Sequence, residues 1–123
     1  MKIYIAHATC FDFRGELYTP LQASTLAREH TLIFPHSESD EPFDTKRLFK
    51  DGCDMVLAEV SYPSTGLGIE LGWAQIFDIP IVCIHKQDAI VSNSLKVLTK
   101  QFISYADITD MVAQIERMLL SKQ

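Results

Sequence analysis

At 123 residues, with 47% hydrophobic and 22% charged side chains, the chain has the composition of one folded domain and is too short for two. A formal charge of -5 speaks against a nucleic-acid polymer as partner, because such binding needs a basic face to displace counterions, but it leaves room for a small phosphorylated ligand. No run reaches the roughly 20 apolar residues of a membrane span, MKIYIAHAT lacks the organisation of a signal peptide, and Cys10, Cys53 and Cys83 read as free buried thiols of a reducing, cytoplasmic protein.

The first apolar run, KIYIA (2–6), reads as a strand. GELYTPLQASTLAREH (15–30) follows as a helical segment carrying Leu17, Leu21 and Leu26, with Pro20 in its first turn or delaying its start. TLIFP (31–35) is a second strand, and DTKRLFKDG (44–52) a short helix with Asp44 as N-cap and Gly52 as its stop. DMVLAEV (54–60) is the third strand, and GLGIELGWAQIFD (66–78) a helix that is apolar on nearly every side. PIVCIH (80–85) and QFISY (101–105) complete the strands. DITDMVAQIERMLL (107–120) places Ile108, Met111, Val112, Ile115, Met118 and Leu119 at helical spacing.

Strand alternating with helix predicts an α/β fold: a three-layer sandwich on a five-stranded parallel sheet, Rossmann/flavodoxin-like, strand order 2-1-3-4-5, with residues 1–123 as a single domain. Such sheets bind ligands beyond the carboxyl ends of their strands, at the switch point between strands 1 and 3. The loops after Ala6 and Val60 therefore meet at the site.

The second of these loops runs Ser61-Tyr62-Pro63-Ser64-Thr65-Gly66-Leu67-Gly68-Ile69-Glu70. Pro63 and the glycines shape a turn, Ser64 or Thr65 caps the helix, and exposed N–H groups with the helix dipole make an anion site. Gly66 and Gly68 let a ligand approach the backbone. Glu70 is expected in the first helical turn. It lies six residues after Ser64 and five after Thr65, too far for a capping box, and Ile69, Leu71, Trp73 and Ala74 leave it little polar face. An enclosed carboxylate in such a place points to chemistry. No His/Cys/Asp cluster has metal-ligand spacing, so neither metal nor cofactor is expected.

AEVSYPSTGLGIELGWA strongly resembles the signature of the nucleoside 2-deoxyribosyltransferase superfamily, and most closely its 2'-deoxynucleoside 5'-phosphate N-hydrolase branch. Asp54, Ala58-Glu59-Val60, Pro63-Ser64, Gly66, Gly68, Glu70 and Gly72 fit the pattern. The resemblance implies that Glu70 is the nucleophile at C1' of the sugar, giving a glycosyl-enzyme that water or a second base resolves. It implies that Tyr4 holds Glu70 ionised by a hydrogen bond. It also implies that Ser64, where transferases carry an Asp, selects a 5'-monophosphate, and that Ser94 reaches the phosphate of a neighbouring subunit in a homodimer or larger homo-oligomer. Ser92 and Asn93 rival Ser94.

The family pattern places an Asp that assists the leaving base eight residues before Asp54, where this chain has Lys46. Asp44 is the nearest carboxylate, and Asp40 is an alternative. The loop after strand 1 also departs from the pattern. There Arg14 offers a charged contact and His7 a polar one near the base, with His36 of similar standing after strand 2. Phe11 or Phe13 closes over the base or joins the core, and Trp73 is core or dimer interface. The expected activity is hydrolysis of a (deoxy)nucleoside 5'-monophosphate. Deoxyribosyl transfer between bases, or nucleotide binding with little catalysis, are the alternatives.

Overall fold

The computed structural model describes residues 1–39 and 42–122. Its strands are β1 (Lys2–His7), β2 (Thr31–Ile33), β3 (Met55–Glu59), β4 (Ile81–Lys86) and β5 (Phe102–Tyr105). They pair in parallel in the order β2-β1-β3-β4-β5, as expected. The helices are α1 (Thr19–Gln22), α2 (Leu26–Glu29), α3 (Thr45–Asp51), α4 (Thr65–Ile76) and α5 (Ile108–Leu120).

The strand period of two sorts β1 between two cores. Ile3 and Ile5 face Leu17, Leu21 and Leu26 on one side, joined by Met111, Ile115 and Leu119 of α5. Tyr4 and Ala6 face Phe49 of α3 and Leu67, Leu71 and Ala74 of α4 on the other. Covering both faces is what parallel strands require, and each buried Leu or Ile contributes about 1.5–3 kcal/mol. Asp107 caps α5 by accepting from the Asp110 N–H at 2.8 Å. Gly52 ends α3 at φ +129°, a conformation that disfavours any residue with a Cβ.

The segment expected as one helix over 15–30 is broken. Residues Arg14–Tyr18 form a π-helical turn in which the Thr19 N–H reaches back to the Arg14 carbonyl. Pro20, the second residue of α1, has no N–H to continue the ladder, and the wider turn absorbs the break. A second interruption around Ser24 separates α1 from α2. A 3₁₀ turn, Asn93–Val97, stands between β4 and β5. Cys83 is buried, Cys53 half-buried and Cys10 exposed, all as free thiols, so the expectation of buried thiols fails at Cys10 in the loop after β1. Among the described residues no helix is long and apolar enough to cross a membrane.

Candidate active site

Ser64 is extended and its Oγ accepts from the Leu67 N–H at 3.4 Å, so α4 starts at Thr65. This corrects the placement of Glu70, which falls in the second turn rather than the first. From there the side chain leaves the helix toward the start of α3. Its Oε2 accepts from the Tyr4 hydroxyl and, at 2.8 Å, from Thr45 Oγ1. The two hydroxyls lie 2.8 Å apart and close a triangle around that oxygen. Oε1 has no hydrogen bond among the described residues.

Each member of the triangle is held by the fold. Tyr4 is 1% exposed, pairs with Val56 on β3 and packs edge-on against Phe49 at 5.2 Å. Burial, reinforced by the Glu70 carboxylate, pushes the Tyr4 phenol far above its ordinary range, so it remains a proton donor. Thr45 is 3% exposed and opens α3 directly after its cap. A hydroxyl pair fixing one carboxylate oxygen is strong, because hydrogen bonds to a charged acceptor contribute roughly twice what neutral ones do. Glu70 and its partners line a cleft of about 390 Å³ together with His36, Phe43, Gly66 and Trp73.

The turn ahead of α4 rests on a second buried carboxylate. Glu59 is 1% exposed and accepts from the Ser61 N–H at 2.6 Å, from Ser61 Oγ at 2.9 Å and from the Tyr105 hydroxyl. Burial and this carboxylate push the Tyr105 phenol well up. Glu59 thus sets the direction in which the chain leaves β3. The N–H groups of Thr65 and Gly66 have no acceptor among the described residues, and a Cβ on Gly66 or Gly68 would meet nothing within 4 Å.

The remaining expected site residues are dispersed. Ser64, Gly68 and Ser94 line a neighbouring depression of about 230 Å³ on the other side of the α4 start, so Ser94 stands beside Ser64 of its own chain. Asp44 does not reach Glu70: its carboxylate caps α3 by accepting from the Arg47 N–H at 3.3 Å, and it shares a surface depression with Lys46. Capping a helix fixes the carboxylate at the helix end; Asp44 is not among the residues lining the cleft, and the buried Thr45 occupies the inner position. Asp40 lies outside the described residues.

His7 is no surface contact either. It is the buried last residue of β1, its Nδ1–H donating to the Ala8 carbonyl at 2.7 Å and its Nε2 accepting from the Tyr18 hydroxyl at 2.5 Å. A carbonyl can only accept, so Nδ1 carries a proton. Burial, with His36 and Arg14 close by, pushes the His7 pKa down to about 4. Arg14 lies along the loop after β2, with its guanidinium 4.7 Å from the Phe13 ring centre and Nη2 donating to the His36 carbonyl at 3.1 Å. Phe13 is in the core and stacks on His7 at 4.5 Å, while Phe11 stacks on Tyr62 at 4.8 Å, so neither covers the cleft. Trp73, expected in core or interface, packs partly buried against the core beneath α4 and also lines the cleft.

The fold is a five-stranded parallel α/β domain, with Glu70 placed in a cleft beside the start of α3. The structure of a CMP N-glycosidase from Clostridium botulinum superposes with a TM-score of 0.65 at 17% identity, covering 94% of this chain and 99% of that one. No family model matches the chain. Curated relatives named "Putative 2'-deoxynucleoside 5'-phosphate N-hydrolase 1" match in sequence. The one from Methanosarcina mazei is 45% identical over 40 residues, 32% of this chain and 25% of its own length. The one from Thermofilum pendens is 25% identical over 84 residues, 64% of this chain and 59% of its own length. The chain thus spans between about a quarter and three fifths of the relatives it matches. Together with the pattern from Asp54 to Gly72, these matches bear out the resemblance to the nucleoside 2-deoxyribosyltransferase superfamily.

Proposed function

We propose that this protein hydrolyses the N-glycosidic bond of a deoxynucleoside 5'-monophosphate through a covalent ester on Glu70. The observation that carries the reading is the unequal treatment of the two Glu70 oxygens. Oε2 is held by Tyr4 and Thr45, while Oε1 is left with its lone pairs for an electrophile. Oε1 attacks C1', the C1'–N bond breaks, and its electron pair leaves with the base, which takes up a proton. Water then adds to C1', loses a proton, and releases sugar phosphate with Glu70 regenerated. The names of the relatives, an N-hydrolase acting on deoxynucleoside 5'-phosphates and an N-glycosidase acting on CMP, agree with this chemistry.

The phosphate is assigned to the start of α4, where the Thr65 and Gly66 N–H groups and the Ser64 hydroxyl are available and no carboxylate replaces Ser64 to repel it. Self-association belongs to the same reading. Ile69, Ile76 and Val97 are apolar and 48%, 76% and 77% exposed, and Gln75 Nε2 donates to the Val97 carbonyl at 3.2 Å, holding the Ser94 segment against α4. A second copy covering this surface would bring its Ser94 toward the first copy's site.

The test is free base released from the four deoxynucleoside 5'-monophosphates, with ribonucleotides and unphosphorylated nucleosides alongside, for wild type and Glu70→Ala. Release from the monophosphates that vanishes in the variant is the expected result. Binding without release would make the pocket a nucleotide-binding module, and release that appears only with an added acceptor base would make the enzyme a transferase.

A further inference from the structure

The proposed reaction requires a proton for the departing base, and neither Asp44 nor Lys46 lies in the cleft that holds Glu70. Resting on that reading, we infer that His36 is the residue that meets the base and delivers this proton. Of the described residues lining the cleft, only Tyr4, Glu70 and His36 titrate. Tyr4 is committed to Glu70, with its phenol pushed far up by burial. His7, the other imidazole nearby, has both nitrogens in use.

His36 is placed differently. Its backbone is fastened at both ends: the N–H donates to the Tyr18 hydroxyl at 3.1 Å, and the carbonyl accepts from Arg14 Nη2 at 3.1 Å. Its ring packs against His7 at 5.7 Å and Phe13 at 5.9 Å between centres. Yet the ring makes no hydrogen bond among the described residues, and its Nδ1 is buried without a partner. A polar ring that is positioned by its backbone but not spent on the fold leaves Nε2 for a ligand in the cleft. The charged and titratable groups around it are His7 of β1, Arg14 and Tyr18 of the turn and α1 approach, and Tyr4 and Glu70 across the cleft.

In the step itself the C1'–N electron pair stays on the base, and the Nε2 proton of His36 moves onto it. When water adds to C1' in the second half, its proton returns to His36. General acid catalysis of this kind contributes about 10²–10⁴-fold.

Two paired measurements test this. The first compares wild type and His36→Gln on a deoxynucleoside 5'-monophosphate and on p-nitrophenyl 2-deoxyribofuranoside 5-phosphate, whose leaving group departs without a proton. The expected result is a loss of about 10²-fold or more on the nucleotide and less than about threefold on the nitrophenyl substrate. Equal losses on both, or none on either, overturn the inference. The second measures binding by calorimetry in a Glu70→Gln background, so it does not depend on turnover. Adding His36→Ala is expected to weaken the nucleotide about tenfold while 2-deoxyribose 5-phosphate binds unchanged, which corresponds to about 1.4 kcal/mol. An unchanged nucleotide affinity overturns His36 as the base contact. An absence of turnover in wild type overturns the hydrolase reading alone, and the binding arm then decides for His36.

Discussion

Thr45→Val is the substitution that most sharply probes the carboxylate triangle, because it replaces a hydroxyl with a methyl of the same shape at a site 3% exposed. The change deletes the 2.8 Å bond to Glu70 Oε2 and the 2.8 Å contact with the Tyr4 hydroxyl. A hydrogen bond to a charged group is worth about 1.5–3 kcal/mol net, and the added methyl recovers up to about 0.8 kcal/mol of that through burial. The expected loss of stability is therefore about 1–2 kcal/mol, or roughly 3–10 °C in melting temperature for a domain of this size. Urea unfolding should show a lower midpoint at an unchanged slope. Thr45→Ser, which keeps the hydroxyl, should lose less. In a double-mutant cycle with Glu70→Gln the coupling should exceed about 1 kcal/mol, since the pair is in direct contact. On activity, a carboxylate held by Tyr4 alone should cost about tenfold in base release, at about 1.4 kcal/mol per decade. A Thr45→Val protein with wild-type stability and a coupling near zero would refute the triangle as drawn.

His7 predicts the pH dependence of stability. Its folded pKa, about 4, is below the unfolded value of about 6.5, so between the two the unfolded chain holds a proton that the native chain refuses. Stability from this residue is complete above about pH 7 and is lost as pH falls toward 4, by up to about 3 kcal/mol. Urea midpoints from pH 7.5 to pH 4.5 check this, and His7→Gln should flatten the slope. Ser64→Asp retains a competent N-cap and so should leave stability within about 0.5 kcal/mol, yet place a negative charge where the phosphate is assigned. The ratio of activity on monophosphate to activity on free nucleoside should fall at least tenfold, measured as kcat/KM on both. An unchanged ratio would move the phosphate elsewhere.

The sheet was legible because its signals are local. Five short apolar runs, with Ile3 and Ile5 alternating against Tyr4 and Ala6, suffice to specify buried parallel strands and their two cores. α5 was legible because its apolar residues recur at helical spacing. The break between 15 and 30 was not, since Pro20 is compatible with a late helix start as well as with the π-helical turn that precedes it. Glu70 and Tyr4 stood out through the resemblance and come together in the structure. Thr45 did not, because it meets Glu70 from another helix and nothing in its own neighbourhood marks it. Asp44 misled for the opposite reason: the feature that makes it a good cap occupies its carboxylate. His7 read as the start of a loop because strand ends are poorly marked in sequence, whereas the structure extends β1 by one residue and buries it.

In the proposed reaction Glu70 forms a bond to the sugar. The most direct measurement is intact-protein mass spectrometry after acid quench of the enzyme during turnover of a deoxynucleoside 5'-monophosphate, followed by peptide mapping. A 2-deoxyribose 5-phosphate adduct is expected on the peptide containing Glu70, absent in Glu70→Gln and decaying as substrate is exhausted. Turnover with no adduct at any quench time, and with inverted configuration in the first-formed sugar phosphate, would mean that water attacks C1' directly and that Glu70 is not the nucleophile.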